Sequence, residues 1–329
     1  MRPHQRWLAI VVVTVLQSVI PAHTLTATDY PARPITLIVP WPAGGSTDGL
    51  GRVLAPKLSQ RLGKPVIIEN RPGAGSIAGI AAVARANPDG YTLGLAGSGS
   101  LAINVAIHKR LSYDPVTDIV PLALVAHIPF VLVAHSSLQL RTVSDLAVLS
   151  KERAGQLSYA SSGSGSPPHL YAELLKRLMG IEMLHVPYKG TAPALMDVVG
   201  GHVSLMFADP LPALSQIREG NVRALGVSSL TRWSVAPDIP TIAEQGVPDF
   251  SAVAWAMVVA PANTPENIAM RLHADLNTIL GVPEVHQELA NHGAIPTPSK
   301  SPQELRNFIS SEIERWGKVV RQVGLAGAQ

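Results

Sequence analysis

The chain contains no cysteine among its 329 residues. It therefore has no disulfide bond, and it lacks the cysteine that a bacterial lipoprotein needs at its cleavage point. Charged residues make up only 15% of the chain, and although the net charge is +3, Lys and Arg form no run with interleaved aromatic residues. This pattern argues against nucleic-acid binding. With 47% apolar residues, the chain is long enough for a large core divided between two lobes.

An apolar run that follows basic residues lies at the N terminus, and no later segment approaches about 18 apolar residues. Arg2 and Arg6 precede the segment WLAIVVVTVLQSVI, which is typical of a signal peptide and too short for a stable membrane span. Small residues favour cleavage after Ala22 or Ala27, and we assign residues 1–27 to the signal peptide. A buried N-terminal helix is the alternative. The mature protein is expected outside the cytoplasm, without a lipid anchor.

After this run, apolar segments bounded by turn residues alternate with helical patterns, as in β-α-β units. The first series predicts strands at 35–40, 65–70 and 91–97 and helices at 47–62 and 76–86. The second series predicts strands at 156–162, 183–188, 203–209 and 222–229 and helices at 167–179, 192–199 and 211–218. Extended stretches at 121–137 and 251–261 follow the two series, and three helices complete the chain.

Start signals mark the C-terminal helices. Thr264-Pro265-Glu266 opens the first of them, and Ser301 to Glu304 form a capping box that opens the last. Apolar residues recur at helical spacing along the last helix, so it is expected to dock on the core, with Trp316 as a packing residue.

These patterns predict an α/β protein of two lobes, each a mostly parallel sheet flanked by helices, joined by two extended hinge crossings. Lobe 1 comprises residues 28–124 and 252–329, and lobe 2 comprises residues 125–251. Such a clamshell holds its ligand in the cleft between the lobes. Ligands of parallel sheets lie outside the carboxyl ends of the strands, so the loops there form the candidate site.

Nearly all of these loops place glycine beside hydroxyl groups and carry almost no charge. They are PWPAGGSTD (40–48), NRPGAGS (70–76), AGSGSLAIN (96–104), SSGSGSPPH (161–169), VPYKGTAP (186–193) and FADP (207–210). Glycine allows close backbone approach, and free N–H groups at a helix N terminus attract anions. Two facing loops of this kind are expected to hold a carboxylate or phosphate without arginine. In the alternative interpretation they are ordinary turns, in which Ser46 and Ser166 only cap helices.

Other kinds of site fit the sequence less well. Gly73, Gly75 and Ala78 match the dinucleotide fingerprint, but no acidic residue ends the next strand. The G-x-S-x-G motif of serine hydrolases is absent. His169 and Glu173 have metal-ligand spacing without a third ligand nearby. We therefore predict no catalytic residue, no metal and no cofactor.

Seven segments, in order along the chain after the signal peptide, form a recognisable pattern. They are YPARPITLIVPWPAGGSTD, ENRPGAGSIAG, NPDGYTL, SGSGSPPHL, VPYKGTAPALMDVVGGHVSLMF, TPENIAMRLHADL and EIERWGKVVRQVGL. Together they resemble the tripartite tricarboxylate transporter receptor family, also called Bug (Bordetella uptake gene) extracytoplasmic solute-binding proteins. The resemblance implies a periplasmic, non-enzymatic receptor of type II periplasmic-binding-protein fold.

The resemblance also implies partners. The expected ligand is a small organic acid, whether a mono-, di- or tricarboxylate or an amino acid, and the expected protein partners are membrane subunits of a tripartite tricarboxylate transporter. We expect a monomer that binds no nucleic acid. A secreted hydrolase, or another small-molecule enzyme using the same cleft, is the alternative.

Finally, the resemblance implies the site residues. The first carboxylate-holding loop falls on Pro42, Ala43, Gly44, Gly45, Ser46, Thr47 and Asp48, and the facing loop on Ser162, Gly163, Ser164, Gly165 and Ser166 with His169. The cleft is completed by Ser98, Ser100, Tyr188, Lys189, Thr191 and Asp209. Thr47 and Ser164 are expected to donate to the ligand. Asp48 is expected to orient the first loop or to accept from a ligand donor, and Asp209 to contact the ligand's far end.

The sequence departs from the family pattern at Gly49 and Gly51, where apolar residues are more usual. Each glycine inside a helix is less favourable than alanine by about 1 kcal/mol. This departure puts the rigidity of that helix in question.

Overall fold

Eleven strands form two β-sheets in the computed structural model, which describes residues 30–328. The predicted signal peptide therefore lies outside the described residues. The strands are β1 Ile35–Val39, β2 Val66–Asn70, β3 Thr92–Gly97, β4 Ile119–Pro129, β5 Val131–His135, β6 Ser158–Ser161, β7 Leu184–Pro187, β8 Leu205–Ala208, β9 Val222–Val227, β10 Val253–Pro261 and β11 Ile295–Pro296. The strands predicted from the two β-α-β series are confirmed.

Apart from the extra edge strand β11, the two sheets share one strand order. The first sheet runs β2-β1-β3-β10-β4-β11 and the second, in the same sense, β7-β6-β8-β5-β9. Pairing is parallel among β1, β2 and β3 and among β6, β7 and β8. By contrast, β10 and β5, which each arrive from the other sheet, pair antiparallel with both of their neighbours. Both sheets are therefore mixed rather than mostly parallel, because the crossing strands reverse direction.

Ten helices lie among the described residues. They are α1 Ser46–Leu62, α2 Ile77–Ala84, α3 Asn104–Ile107, α4 Val143–Glu152, α5 Pro167–Met179, α6 Thr191–Val199, α7 Pro210–Arg218, α8 Glu266–Leu280, α9 Pro283–Asn291 and α10 Pro302–Gln322. The predicted helices are confirmed, while α3 and α4 were not predicted. Thr142 and Asp145 form a capping box at the start of α4, a signal that the apolar pattern alone does not reveal. None of these helices is long and apolar enough to cross a membrane.

The chain passes between the sheets at two adjacent points. Phe130 alone separates β4 from β5. The Ser228 hydroxyl accepts the Phe130 N–H at 2.9 Å, and the Ser228 carbonyl accepts the Ala252 N–H at 2.9 Å just before β10. Ser228 thus joins the two crossings. Because β4 stays in the first sheet as far as Pro129, the chain leaves that sheet five residues after residue 124, where we predicted the lobe boundary.

The last helix, α10, packs on both parts of the fold. The Ser301 capping box is confirmed, and Trp316 is fully buried, as predicted. The indole N–H groups of Trp255 and Trp316 both donate to Glu312 Oε2, at 2.8 and 3.0 Å. The Trp316 ring also stacks on Tyr171 of α5, with centroids 5.5 Å apart. The docking of α10 therefore fixes Trp255, which lies on a crossing strand.

The two unexpected glycines of α1 have a packing role. A methyl group on Gly49 would lie 2.4 Å from His292 Nδ1, and one on Gly51 would lie 3.2 Å from Val39 Cγ2. The first contact leaves no room for a side chain, and the second requires the Val39 side chain to shift slightly. The glycines allow α1 to lie close to β1 and to the residues after α9.

Candidate ligand-binding cleft

A cleft of about 170 Å³ opens at the carboxyl ends of the strands, where loops of both sheets meet. It receives the loops after β1, β2 and β3 of the first sheet and those after β6, β7 and β8 of the second. The predicted site residues that line it are Pro42, Ala43, Gly44, Gly45, Ser46, Thr47, Ser98, Ser100, Ser162, Lys189, Thr191 and Asp209. The structure thus brings together residues that are distant in sequence.

Other lining residues were not among the predicted ones. They are Trp41, Ser76, Gly97, Gly99, Ile128, Phe130, Pro167, Pro168, Gly190, Ala192, Pro193, Pro212, Ala254 and Trp255. Several of these adjoin predicted loop residues and were within reach of sequence reasoning. Ile128, Phe130, Ala254 and Trp255 come from the crossing strands, and their place in the cleft depends on where the chain changes sheets.

The first loop presents the N terminus of α1 to the cleft. Gly45 is the N-cap residue, and no side chain caps the helix. The first N–H groups of a helix have no partner within it. Ser46 is 1% exposed, and its Oγ has no hydrogen-bond partner among the described residues. An uncapped helix end beside a buried, unpaired hydroxyl is suited to bind an anion such as a carboxylate.

Asp48 lies behind this loop and does not line the cleft. Its carboxylate accepts hydrogen bonds from Gly44 N at 3.0 Å, Arg52 Nε at 2.8 Å and Asn70 Nδ2 at 2.9 Å. Burial acts to raise the pKa of Asp48, but these hydrogen bonds outweigh it and the pKa is lowered. Asp48 is an anion that holds Gly44, so its contacts are those of a residue that orients the loop.

The facing loop is arranged differently. Of its predicted residues only Ser162 lines the cleft, while Gly163, Ser164, Gly165, Ser166 and His169 do not. Three N–H groups of this loop bond to neighbouring residues: Gly163 N donates to Ser161 Oγ, Gly165 N to His169 Nδ1 and Ser166 N to the Gly163 carbonyl. Pro167 and Pro168 have no N–H to offer. Free N–H donors for an anion are instead found at the start of α1 and at the start of α6, whose N-cap residue Gly190 also lines the cleft without a side-chain cap.

Asp209 approaches α1 from the second sheet. It is half-buried at the N terminus of α7, and its Oδ2 accepts a hydrogen bond of 2.5 Å from Thr191 Oγ1. A methyl group built on Gly45 would lie 3.8 Å from the same oxygen. Burial raises the pKa of Asp209 to about 6, although the Thr191 hydrogen bond opposes the shift.

Tyr188 and Lys189 occupy the outer part of the site. The Tyr188 hydroxyl donates to Asp197, and Tyr188 does not line the cleft. Lys189 lines the cleft with an exposed side chain. Among residues 30–328, no group of three or more His, Asp and Glu side chains is placed to hold a metal ion.

The segment that matched a dinucleotide fingerprint has an unusual backbone. Gly73, Ala74, Gly75 and Ser76 have φ values of 139°, 46°, 61° and 78°. Positive φ is unfavourable for Ala74 and Ser76. The Asn104 side chain holds the segment by donating to the Gly75 carbonyl at 2.9 Å. This arrangement places Ser76 in the lining of the cleft.

Two sheets of the same strand order, joined by two crossings, with a cleft at their carboxyl ends, define a two-lobed solute-binding protein. Residues 50–325 match the model of the tripartite tricarboxylate transporter family receptor. The chain belongs to this family, as predicted.

Relatives support the same conclusion. The protein BugT of Bordetella pertussis is 40% identical over 92% of this chain and 93% of its own length. The structure of R. palustris Rpa4515 with adipate is 36% identical and covers 91% of this chain and 99% of that one, with a TM-score of 0.87. The periplasmic binding protein BugD is 33% identical over 90% of this chain and 99% of its own, with a TM-score of 0.85. The predicted fold class is confirmed, and the family is one of receptors rather than enzymes.

Proposed function

We propose that this protein is a periplasmic receptor that captures a small carboxylate-containing molecule in the cleft and delivers it to a tripartite tricarboxylate-type transporter, without a catalytic step. The observation that carries the proposal is the N terminus of α1, which enters the cleft without a side-chain cap and beside the unpaired Ser46 hydroxyl. The adipate in the structure of Rpa4515 supports a carboxylate as the ligand.

The carboxylate lies against the N–H groups at the start of α1, with the Ser46 and Thr47 hydroxyls as further donors. The helix dipole and the donors stabilise the negative charge without a cation. The rest of the ligand lies along the aromatic side chains of Trp41, Phe130 and Trp255, which line the same cleft. The donors at α1 thus orient the carboxylate, and the other residues that line the cleft determine which carboxylate binds.

The cellular context is part of the proposal. Residues 1–27 direct export and are removed, and the absence of cysteine leaves the mature chain without a lipid anchor. The two lobes correspond to the two sheets, between which the chain passes at Phe130 and again just before β10, and they close on the ligand as a monomer. Membrane subunits of the transporter then receive it.

Thermal unfolding of protein purified from the periplasm tests this function. Propionate, succinate, adipate and citrate are added singly, and at least one is expected to raise the Tm in proportion to the logarithm of its concentration. Ser46→Ala combined with Thr47→Ala is expected to abolish the rise. Ser164→Ala removes a hydroxyl from the facing loop that does not line the cleft, so this matched control should respond like the wild type.

Two results contradict the proposal: no carboxylate raises the Tm, or the double variant responds as strongly as the wild type. The acids are also recovered after incubation. They should be chemically unchanged, and steady turnover would instead indicate an enzyme.

A further inference from the structure

We propose that the cleft selects carboxylates that carry a hydrogen-bond donor on the carbon next to the carboxylate, and that Asp209 binds this donor. An ammonium group is preferred to a hydroxyl group as the donor. The inference rests on the proposed function, since it takes the carboxylate to lie at α1.

The position of Asp209 is the first argument. Its Oδ2 lies 3.8 Å from the place where a methyl group on Gly45 would be, and Gly45 is the N-cap residue of α1. Asp209 therefore reaches the helix end that receives the ligand's carboxylate, rather than the far end of the ligand as the sequence led us to expect. A substituent on the neighbouring carbon is the part of the ligand that faces it.

The unused acceptor capacity of Asp209 is the second argument. Thr191 donates to Oδ2, and Oδ1 accepts no hydrogen bond from the described residues. A carboxylate has room for several donors. Because Asp209 is half-buried and lines the cleft, its remaining lone pairs are available to a ligand.

The charge around Asp209 is the third argument. Burial raises its pKa to about 6, so it is mainly ionised at neutral pH. Neither an arginine nor a lysine forms an ion pair with it among the described residues, and Lys189, which also lines the cleft, is exposed. Buried charges are normally paired. A ligand ammonium would supply the missing counter-charge.

An unsubstituted carboxylate meets the opposite situation. Placed at α1, it brings a second negative charge beside Asp209, and like charges at this distance repel. A donor on the adjacent carbon separates the two carboxylates and bonds to Asp209. The ammonium adds charge attraction to the hydrogen bond, which ranks it above the hydroxyl.

Calorimetry with matched acids of three chain lengths tests the inference near neutral pH. The sets are propionate, lactate and alanine; succinate, malate and aspartate; and adipate, 2-hydroxyadipate and 2-aminoadipate. At whichever length binds, the 2-amino acid is expected to bind at least about tenfold more tightly than the unsubstituted acid, with the 2-hydroxy acid between them.

Asp209→Asn keeps the shape and removes the charge. It is expected to reduce the ratio of 2-amino to unsubstituted affinity by about tenfold or more, while the unsubstituted acid binds as well as before or better. Thr191→Val removes the hydrogen bond that holds the Asp209 carboxyl group and should lower the same ratio. This variant tests the inference if Asp209→Asn does not fold. Asp238→Asn makes the same change at an exposed residue outside the cleft and should leave the ratio unchanged.

The inference is overturned if the wild type binds unsubstituted and 2-amino acids equally, or if Asp209→Asn and Thr191→Val both retain the wild-type ratio. If neither citrate nor any of the nine acids binds, the proposed function itself fails. If only unsubstituted acids bind, the function stands and this inference does not.

Discussion

The imidazole rings of His169 and His185 stack face to face, with centroids 3.9 Å apart and planes 6° apart. His169 Nδ1 accepts the Gly165 N–H at 3.2 Å, and a hydrogen bond of 2.7 Å joins His185 Nε2 to Ser161 Oγ. The two rings therefore support both ends of the facing loop from beneath. Burial, aided by Lys176, lowers the pKa of His169 to about 4, and burial with the neighbouring His169 lowers the pKa of His185 to about 3.

This pair predicts how stability depends on pH. In the unfolded chain both histidines titrate near pH 6.5, so between about pH 6.5 and about pH 4 the unfolded chain binds more protons than the folded protein. The free energy of unfolding should therefore fall as the pH is lowered through this range, by up to about 1.4 kcal/mol per pH unit for each histidine. Urea denaturation at several pH values measures the slope.

Replacing both rings isolates their contribution. His169→Gln with His185→Gln should flatten the slope, because glutamine does not titrate. His202→Gln removes a histidine whose side chain is 74% exposed and should leave the slope unchanged. The prediction fails if the double variant loses stability with falling pH as steeply as the wild type.

Asp48 gives a prediction about the first loop. Asp48→Ala removes the acceptor of Gly44 N and one of the two acceptors of Asn70 Nδ2, which keeps its hydrogen bond to the Trp41 carbonyl. We expect the free energy of unfolding to fall by about 2 kcal/mol, and carboxylate binding at α1 to weaken because Gly44 is no longer held. Urea denaturation and calorimetry with the acid that binds the wild type most tightly measure the two effects.

Arg52 provides the matched control for Asp48. Its side chain is 56% exposed while it pairs with Asp48, and exposed ion pairs contribute little to stability. Arg52→Ala should therefore change stability and affinity only slightly. Equal losses in the two variants would show that the ion pair, rather than the hydrogen bonds to the loop, holds Gly44.

Much of this fold could be predicted because β-α-β units leave a strong local pattern. The strands and most helices follow from alternating apolar runs and turn residues, and the loops after the strands follow from the rule for parallel sheets. The direction of β5 and β10 could not be predicted in this way, since an apolar run does not encode which neighbour it pairs with. The short helix α3 and the π-helical turn at Gly99–Ile103 were hidden in a glycine-rich loop for a similar reason.

The candidate site was predicted as a set of loops rather than as a set of contacts. The glycines and hydroxyls of both facing loops look alike in sequence, yet the loop after β1 ends in an uncapped helix, whereas Gly163, Gly165 and Ser166 after β6 donate their N–H groups to neighbouring residues. That difference depends on His169 and on the course of the chain around Gly163, neither of which is local information. The roles of Asp48 and Asp209 likewise depend on neighbours such as Asn70 and Thr191, which are distant in sequence.

Gly79 yields a prediction that opposes helix propensity. It lies inside α2, where alanine is normally favoured by about 1 kcal/mol. A methyl group there, however, would lie 2.7 Å from Pro40 Cβ and 2.8 Å from the Arg71 carbonyl oxygen. Gly79→Ala should therefore lower the free energy of unfolding by about 2 kcal/mol and, by displacing Pro40, weaken carboxylate binding at the loop that follows it. Urea denaturation with unchanged m-value, together with calorimetry, measures both effects.

Gly317 is the matched control, because it also lies inside a helix, α10. A methyl group there would meet only the flexible end of Arg321, at 3.3 Å from Nη1. Gly317→Ala should therefore stabilise the protein by up to about 1 kcal/mol and leave binding unchanged. If Gly79→Ala is as stable as Gly317→Ala, the close approach of α2 to Pro40 does not constrain this residue. If both variants lose stability alike, then the loss does not arise from the contact with Pro40.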